Sequence, residues 1–172
     1  MLSEKMQKAL NKQINAEFYS AYLYLAFSTY FESANLPGFA HWMRIQYQEE
    51  TMHGLKIFDN IIERGGEVVL DKIDKPELKV DSPLATFEQT LEHERKVTGL
   101  INELAALAVK EQDFATQNFL QWFVNEQVEE EANASKLVQQ LKLIGESSGG
   151  LFMLDRELSS RPTPAAEGQP AE

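Results

Sequence analysis

The sequence contains no cysteine. This absence excludes disulfide bonds, thiolate metal sites, iron–sulfur clusters and a cysteine nucleophile. The chain also lacks an apolar run long enough to span a membrane, and the residues that follow Met1 do not form the apolar core of a signal peptide. We therefore expect a cytoplasmic protein that has no membrane partner.

Positive charge is scarce. Sixteen Lys plus Arg residues against 27 Asp plus Glu residues leave a formal net charge of −11 at pH 7. A surface of this sign repels a phosphate backbone and attracts cations, so nucleic acid is not an expected partner. The rest of the composition is that of a globular protein, and 172 residues are enough for one domain with a sizeable core.

Apolar residues recur at helical spacing in four long segments, which predicts an all-α protein built as a four-helix bundle. The bundle is expected to occupy residues 1–160, and the Pro- and Ala-rich residues 161–172 are expected to form a disordered tail. The predicted helices run from about Ser3 to Ala34, from Pro37 to about Arg64, from Asp81 or Ser82 to about Lys110, from just after Asp113 to Ile144 and, as a short fifth helix, from Ser147 to Leu158.

The lengths of the connections indicate the topology. Tight turns join the first helix to the second and the third to the fourth, so each of these pairs is expected to be antiparallel. The middle connection has about 17 residues, which can extend over roughly 56 Å, whereas a 28-residue helix is roughly 42 Å long. The connection can therefore run the length of the bundle, which permits the second and third helices to be parallel.

Each predicted long helix carries an acidic residue in the middle of an otherwise apolar stripe. His53 follows one of them at i+3 and shares its helix face. Within each hairpin the two acids lie at nearly equal distances from the turn, which brings them to a similar height. Lys and Arg are nearly absent from these stripes, so no salt-bridge partner is evident. The four acids are Glu17, Glu50, Glu94 and Glu130, with Gln127 one turn before the last.

Four carboxylates can share a buried site only if protons or cations neutralise them. Oxygen ligands with one imidazole and no sulfur suit iron or manganese, and also zinc. Glu50 is the best candidate for a carboxylate that bridges two ions, because its neighbour His53 on the same helix would bind one of the two metals. Tyr24, two turns after Glu17, has two open roles: a core tyrosine with a satisfied hydroxyl, or a group that hydrogen-bonds a ligand or donates an electron.

Three segments together resemble a known family. They are Asn15–Tyr24, Glu49–His53 and Asn125–Glu131, and they are similar to non-haem ferritins of the bacterial and archaeal type over nearly the whole chain. The resemblance implies a ferritin-like four-helix bundle with a long crossover between helices two and three. It also implies a homo-oligomeric shell of 24 subunits. Each subunit would oxidise Fe(II) with O2 or H2O2 at a di-iron ferroxidase centre, and the shell would store the Fe(III) mineral.

The resemblance implies a ligand set for the two irons. One iron would be held by Glu17, Glu50 and His53, and the other by Glu50, Glu94 and Glu130, with Gln127 close by. Bacterioferritin carries a second Glu-x-x-His on its fourth helix, where this chain has Gln127-x-x-Glu130. A haem-bridged dimer is therefore not expected, and iron is the expected metal.

A third iron site is also typical of prokaryotic ferritins. Carried over, it would use Glu49, Glu126 and Glu129 together with Glu130. Glu49, Glu126 and Glu129 lie at the edge of the acidic cluster. These positions fit a third iron site and simple exposure to solvent equally well. Tyr24 matches the tyrosine that lies near the di-iron centre in the family.

Three alternatives remain open. A rubrerythrin-like peroxidase or a manganese catalase would use a similar set of carboxylates, although the missing cysteines exclude a rubredoxin-type tail. A DNA-protecting mini-ferritin would build its site between subunits, which the ligand set within one bundle and the fifth helix argue against. A metal-free bundle is the structural alternative.

Overall fold

The computed structural model describes residues 2–78 and 80–164. None of these residues forms a β-strand, and the helices agree with the predicted ones to within about two residues. The prediction of an all-α, ferritin-like bundle with a short fifth helix is confirmed. The five helices are α1 (Glu4–Ser33), α2 (Pro37–Glu63), α3 (Pro83–Lys110), α4 (Phe114–Ile144) and α5 (Ser148–Leu158).

Four of the five helices begin at a side-chain N-cap, which satisfies a backbone N–H that lacks a partner within the helix. The serine or aspartate oxygen at each cap accepts from the backbone N–H three residues later. This pattern explains why the helix starts can be read from the sequence. The four capping residues are Ser3, Ser82, Asp113 and Ser147.

Helix α2 is the exception, because its cap comes from another helix. Leu36 at its N-cap has no side chain that can accept a hydrogen bond. Instead, Oδ1 of Asp155 in α5 accepts from the backbone N–H of Gly38 at 2.8 Å and of Phe39 at 3.1 Å. The carboxylate also lies at the positive end of the α2 dipole. This contact fixes the fifth helix against the start of the second.

The long crossover between α2 and α3 is held to α1 by a row of amide side chains one turn apart. Gln7 Oε1 accepts from the Glu67 N–H at 3.0 Å, and Asn11 bonds Glu67 O and Val69 N at 3.0 and 2.8 Å. Asn15 Nδ2 donates to Lys72 O at 2.9 Å. The crossover therefore runs in the same direction as α1, from the end of the bundle where α2 ends to the end where α2 begins. Helix α3 starts at that second end, so α2 and α3 are parallel.

The apolar core consists of two clusters separated along the bundle. One is aromatic and includes a stack of Phe31 on Phe39 with ring centroids 5.1 Å apart. The other is mostly aliphatic and includes Ile14, Ile57 and Ile101. On each of the four long helices, the predicted ligands lie between the residues of the two clusters. The polar layer is thus enclosed from both ends by close-packed apolar side chains.

No helix in the described part of the chain has the length and apolarity needed to cross a membrane. Arg161, the first residue of the predicted tail, is a described residue that contacts α2. Most of that tail, residues 165–172, lies outside the described residues, and its disorder stays a prediction.

Substitution of Gly38 by alanine is expected to destabilise the protein by about 2–3 kcal/mol, because overpacking of this kind is not relieved by side-chain movement. A Cβ atom at Gly38 would lie 1.7 Å from the backbone oxygen of Asp155, so α5 would have to move and give up its cap on α2. Denaturant unfolding of metal-free protein, followed by circular dichroism, measures the change.

Gly149→Ala in α5 is the matched control, because no atom lies within 4 Å of its added Cβ. This variant is expected to be neutral or more stable by up to about 1 kcal/mol, since alanine is the better helix former. Equal destabilisation of the two variants would contradict the close approach of α5 to α2.

Candidate metal centre

Three side chains from α1 and α2 converge in the interior of the bundle. Glu17, Glu50 and His53 each present a ligand atom within 4.8 Å of the others, and all three are buried. Nδ1 of His53 lies 3.4 Å from Oε2 of Glu50. The i, i+3 spacing on α2 and the antiparallel α1 produce this arrangement, as the sequence predicts.

Helices α3 and α4 bring two more buried carboxylates to the same layer. Glu94 accepts a hydrogen bond from the hydroxyl of Tyr24 and another from Nε2 of Gln127 at 3.2 Å. Oε2 of Glu130 accepts from Nε2 of Gln46 at 2.9 Å. The charges of Glu94 and Glu130 are close enough to Glu50 to raise its pKa. All four acids thus surround one interior space.

Three carboxylate oxygens in this layer have no hydrogen-bond partner in the described part of the chain. They are Oε2 of Glu17 and both oxygens of Glu50. A buried polar atom without a partner costs free energy, and a buried charge without a counter-charge costs more. The residues present therefore fit a divalent cation, which would supply the missing partner for all three oxygens.

The electrostatics of the layer point in the same direction. Burial raises the pKa of Glu17, and burial together with the charges of the neighbouring acids raises the pKa of Glu50 well above its ordinary value. Burial raises the pKa of Glu94 to about 7. Burial and the Glu94 charge raise the pKa of Glu130 to about 8. Near neutral pH Glu94 and Glu130 therefore hold protons for much of the time, and a bound cation can replace these protons.

Amide side chains orient the carboxylates. Gln13 Nε2 donates to Oε1 of Glu17 at 2.8 Å, and Gln46 and Gln127 do the same for Glu130 and Glu94. Each amide occupies one acceptor position and leaves the others for a metal. Sequence reasoning assigned no role to Gln13 or Gln46. The available signal was their spacing, since Gln13 is one turn before Glu17 and Gln46 one turn before Glu50.

Two aromatic rings pack against the imidazole of His53. The Trp122 ring meets the imidazole edge-to-face at 5.3 Å between centroids, and Phe123 meets it at 6.0 Å. A ligand imidazole must be held in one orientation to bind a metal well. Trp122 therefore packs against a predicted ligand.

Tyr24 is fully buried and directly contacts one of the four carboxylates of the layer. Its hydroxyl donates to Glu94, so the phenol has a satisfied hydrogen bond and also contacts a candidate ligand. Burial and the charge of Glu94 raise the pKa of Tyr24 well above its ordinary value. The phenol is therefore neutral at physiological pH and acts as a donor to the carboxylate.

The residues of the possible third site lie at the edge of this layer. Glu49 is half-buried, and its Oε2 accepts from Nη2 of Arg161 at 2.7 Å. The charge of Glu126 contributes to the raised pKa of Glu49, whose largest cause is burial. Glu129 is exposed on α4. Glu49 and Glu126 are thus near enough to interact electrostatically, whereas Glu129 is exposed to solvent.

A sequence profile of the ferritin-like domain matches residues 7–144. The chain belongs to the ferritin family. The resemblance found in the sequence is therefore confirmed, and ferritins are proteins that bind and store iron.

The similar proteins are non-haem ferritins. The chain is 48% identical over 161 residues to a bacterial non-haem ferritin of Bacteroides fragilis. The alignment covers 94% of this chain and 100% of that relative. A bacterial non-haem ferritin of Staphylococcus epidermidis is 39% identical over 94% of this chain and 97% of its own length. The open-pore ferritin of the archaeon Archaeoglobus fulgidus has 57% identity and a TM-score of 0.93, covering 94% of this chain and 100% of that structure.

The metal-free ferritin chain is expected to lose stability as the pH rises from about 6.5 to about 8.5. Unfolded carboxyls titrate near 4.5, whereas the folded pKa values of Glu94 and Glu130 are about 7 and about 8. The folded state keeps protons that the unfolded state has lost. The free energy of unfolding contributed by these groups is therefore complete below about pH 4.5 and decreases as pH rises through 7 and 8, by on the order of 2 kcal/mol.

The melting temperature of chelator-treated protein, measured across this pH range at fixed ionic strength, tests the expectation. The range starts at 6.5 because the lowered pKa of His93, about 4, changes stability in the opposite direction below that pH. The double variant Glu94→Gln, Glu130→Gln cannot lose these protons and should give a flatter curve. Identical curves for the two proteins would contradict the assigned pKa shifts.

Proposed function

We propose that this ferritin is a ferroxidase. It oxidises Fe(II) with O2 or H2O2 at a di-iron centre within each subunit and stores the Fe(III) mineral inside a 24-subunit shell. The observation that carries the proposal is the set of three buried, unpartnered oxygens on Glu17 and Glu50 beside the imidazole of His53. Membership of the ferritin family supports iron as the metal.

In the proposed centre Glu50 bridges the two irons. This role is supported by the two oxygens of Glu50, because neither is held by an amide or phenol donor, whereas each of the other acids has one oxygen held in this way. Glu17 and His53 complete the first site, and Glu94 and Glu130 complete the second. Gln127 and Tyr24 position Glu94.

The chemistry follows from the donors. Carboxylate oxygens favour the harder ferric ion, so binding lowers the reduction potential and promotes oxidation. Two Fe(II), one O2 and two protons give two Fe(III) and one H2O2; with H2O2 as oxidant, two Fe(II) and two protons give two Fe(III) and two water molecules. Binding of each Fe(II) releases protons that the high pKa values hold on the carboxyls. These protons are available to the reduced oxidant.

The third site is proposed to receive iron beyond the pair. Glu49, Glu126 and Glu129 would hold it with an oxygen of Glu130. The support is the proximity of Glu49 and Glu126 and the link from Glu130 through Gln46 to the same edge of the layer. The net charge of −11 favours the approach of Fe(II) to the shell.

Assembly is supported by apolar residues that a lone subunit leaves in water. Val69 and Leu70 in the crossover are 58% and 66% exposed, which favours burial against another copy of the chain. The similar archaeal structure is described as an open-pore ferritin and matches nearly the whole of this chain. The cytoplasmic location stays a prediction from the sequence.

Replacement of Glu50 by alanine should slow initial Fe(II) oxidation by more than about tenfold, since it removes a ligand of both irons. Stopped-flow absorbance of the ferric product, at two Fe(II) per subunit, measures the rate. Glu103→Gln is the control, because Glu103 is exposed on α3 away from the layer. An unchanged rate in the Glu50 variant would remove this residue from the centre.

The storage proposal predicts a native mass of roughly 470 kDa, for 24 subunits of 19.6 kDa, and iron that stays with the shell after aerobic loading. Native mass spectrometry and iron analysis of the gel-filtration peak measure both. A mass half as large would favour a mini-ferritin. Peroxide disproportionation without retained iron would favour a catalase.

A further inference from the structure

Arg161 returns from the end of α5 to contact the metal-bearing part of α2. Its Nη1 donates to Oε1 of Gln46 at 2.6 Å, and its Nη2 donates to Oε2 of Glu49 at 2.7 Å. The guanidinium carbon lies 4.8 Å from the centroid of the Trp42 ring. The backbone oxygen of Arg161 lies 2.8 Å from Nε2 of His41. Four contacts therefore fix one cation at this place.

The two polar partners of the guanidinium belong to different parts of the proposed iron path. Glu49 is an acid of the third site. Gln46 accepts from Arg161 with its oxygen and donates with its nitrogen to Glu130, which is shared between the di-iron centre and the third site. The side chains of Arg161 and Glu49 are only 20% and 21% exposed, so their hydrogen bond is less screened than a surface ion pair.

We propose that Arg161 is the resident counter-cation of Glu49 and that a metal ion entering the third site displaces it. Arg161 thereby lowers the affinity of the third site for metal, so that this site fills only after the two sites of the di-iron centre are occupied. The inference rests on the proposed function and deepens it.

The physical reason is that a metal ion at Glu49 and the guanidinium would share one carboxylate that carries a single negative charge. A divalent ion bonded to Glu49 would stand within a few ångströms of the guanidinium, and like charges at that separation repel. Without any cation, the partly buried carboxylate of Glu49 would lose its ion-pair partner. The guanidinium supplies that partner until the ion arrives.

Displacement does not require α5 to unfold. When Nη2 leaves Glu49 and the guanidinium moves off the Trp42 ring, the contacts to Gln46 and, through the backbone, to His41 remain on the same helix and limit how far the side chain moves. Asp155, which caps α2, fixes the helix from which Arg161 extends. The arginine is thus a positioning residue held ready beside the site.

The first test is isothermal titration calorimetry of the assembled, metal-free protein with Zn(II), which binds oxygen and nitrogen ligands without redox chemistry. Arg161→Gln should bind the third Zn(II) per subunit about tenfold more tightly than the native chain, because a charge-assisted hydrogen bond no longer competes. The first two ions should bind as before. Arg156→Gln, an exposed arginine of α5, loses the same charge and should change nothing.

A double variant separates a local effect from a general one. In a Glu49→Gln background, Arg161→Gln should have no further effect on Zn(II) binding, since the competing pair is already absent. An effect of equal size in both backgrounds would overturn the proposal. If Arg161→Gln binds the first two ions tightly and the third with unchanged affinity, the proposal is overturned as well. This result would leave the proposed di-iron centre standing. Absence of tight binding in the native chain would remove the proposed function itself.

The second test keeps Arg161 and follows its ring partner. The chain has two tryptophans, so Trp122→Phe leaves Trp42 as the single one. Zn(II) titration of this variant should change the Trp42 fluorescence at the third equivalent, when the cation moves from the ring. The change should be absent when Arg161→Gln is added. A Trp42 signal that is flat through the third equivalent would contradict displacement of the arginine.

Discussion

The structure depends on the burial of four carboxylates in the middle of a helical bundle, with no lysine or arginine among them. Their desolvation is unfavourable in the charged form, and it raises the pKa of each acid. Protons or a bound cation can each relieve this cost, which is the link between the fold and the proposed binding of iron.

The apolar clusters enclose this layer. Aromatic rings close it at one end and aliphatic side chains at the other, and Oε2 of Glu17 and both oxygens of Glu50 are buried between them with no hydrogen-bond partner in the described part of the chain. The amides of Gln13, Gln46 and Gln127 satisfy one oxygen on each neighbouring acid and leave the rest directed inward. The arrangement is organised before a metal arrives, which reduces the reorganisation needed for binding.

Much of this could be predicted from the sequence because it depends on local periodicity. The helical repeat gives the bundle, the caps give the helix starts, and equal distances from tight turns give the common height of Glu17 and Glu50. The amide partners could not be assigned, because whether Gln46 meets Glu130 depends on how α2 packs against α4. The sequence predicts a tail from residue 161 because composition describes a window of residues. In the structure a few specific contacts hold the side chain of Arg161, and composition cannot predict such contacts.

The fifth helix shows how contacts between residues far apart in the sequence couple stability to the site. Asp155 supplies the cap that α2 lacks, 117 residues away along the chain from Gly38. Three residues after the end of the same helix, Arg161 reaches Glu49. A helix too short to be stable alone is thus held at one point by an N-terminal dipole and at another by an acid of the proposed iron path. Because both attachments are on α2, α5 is held at two points to the helix that carries Glu50 and His53.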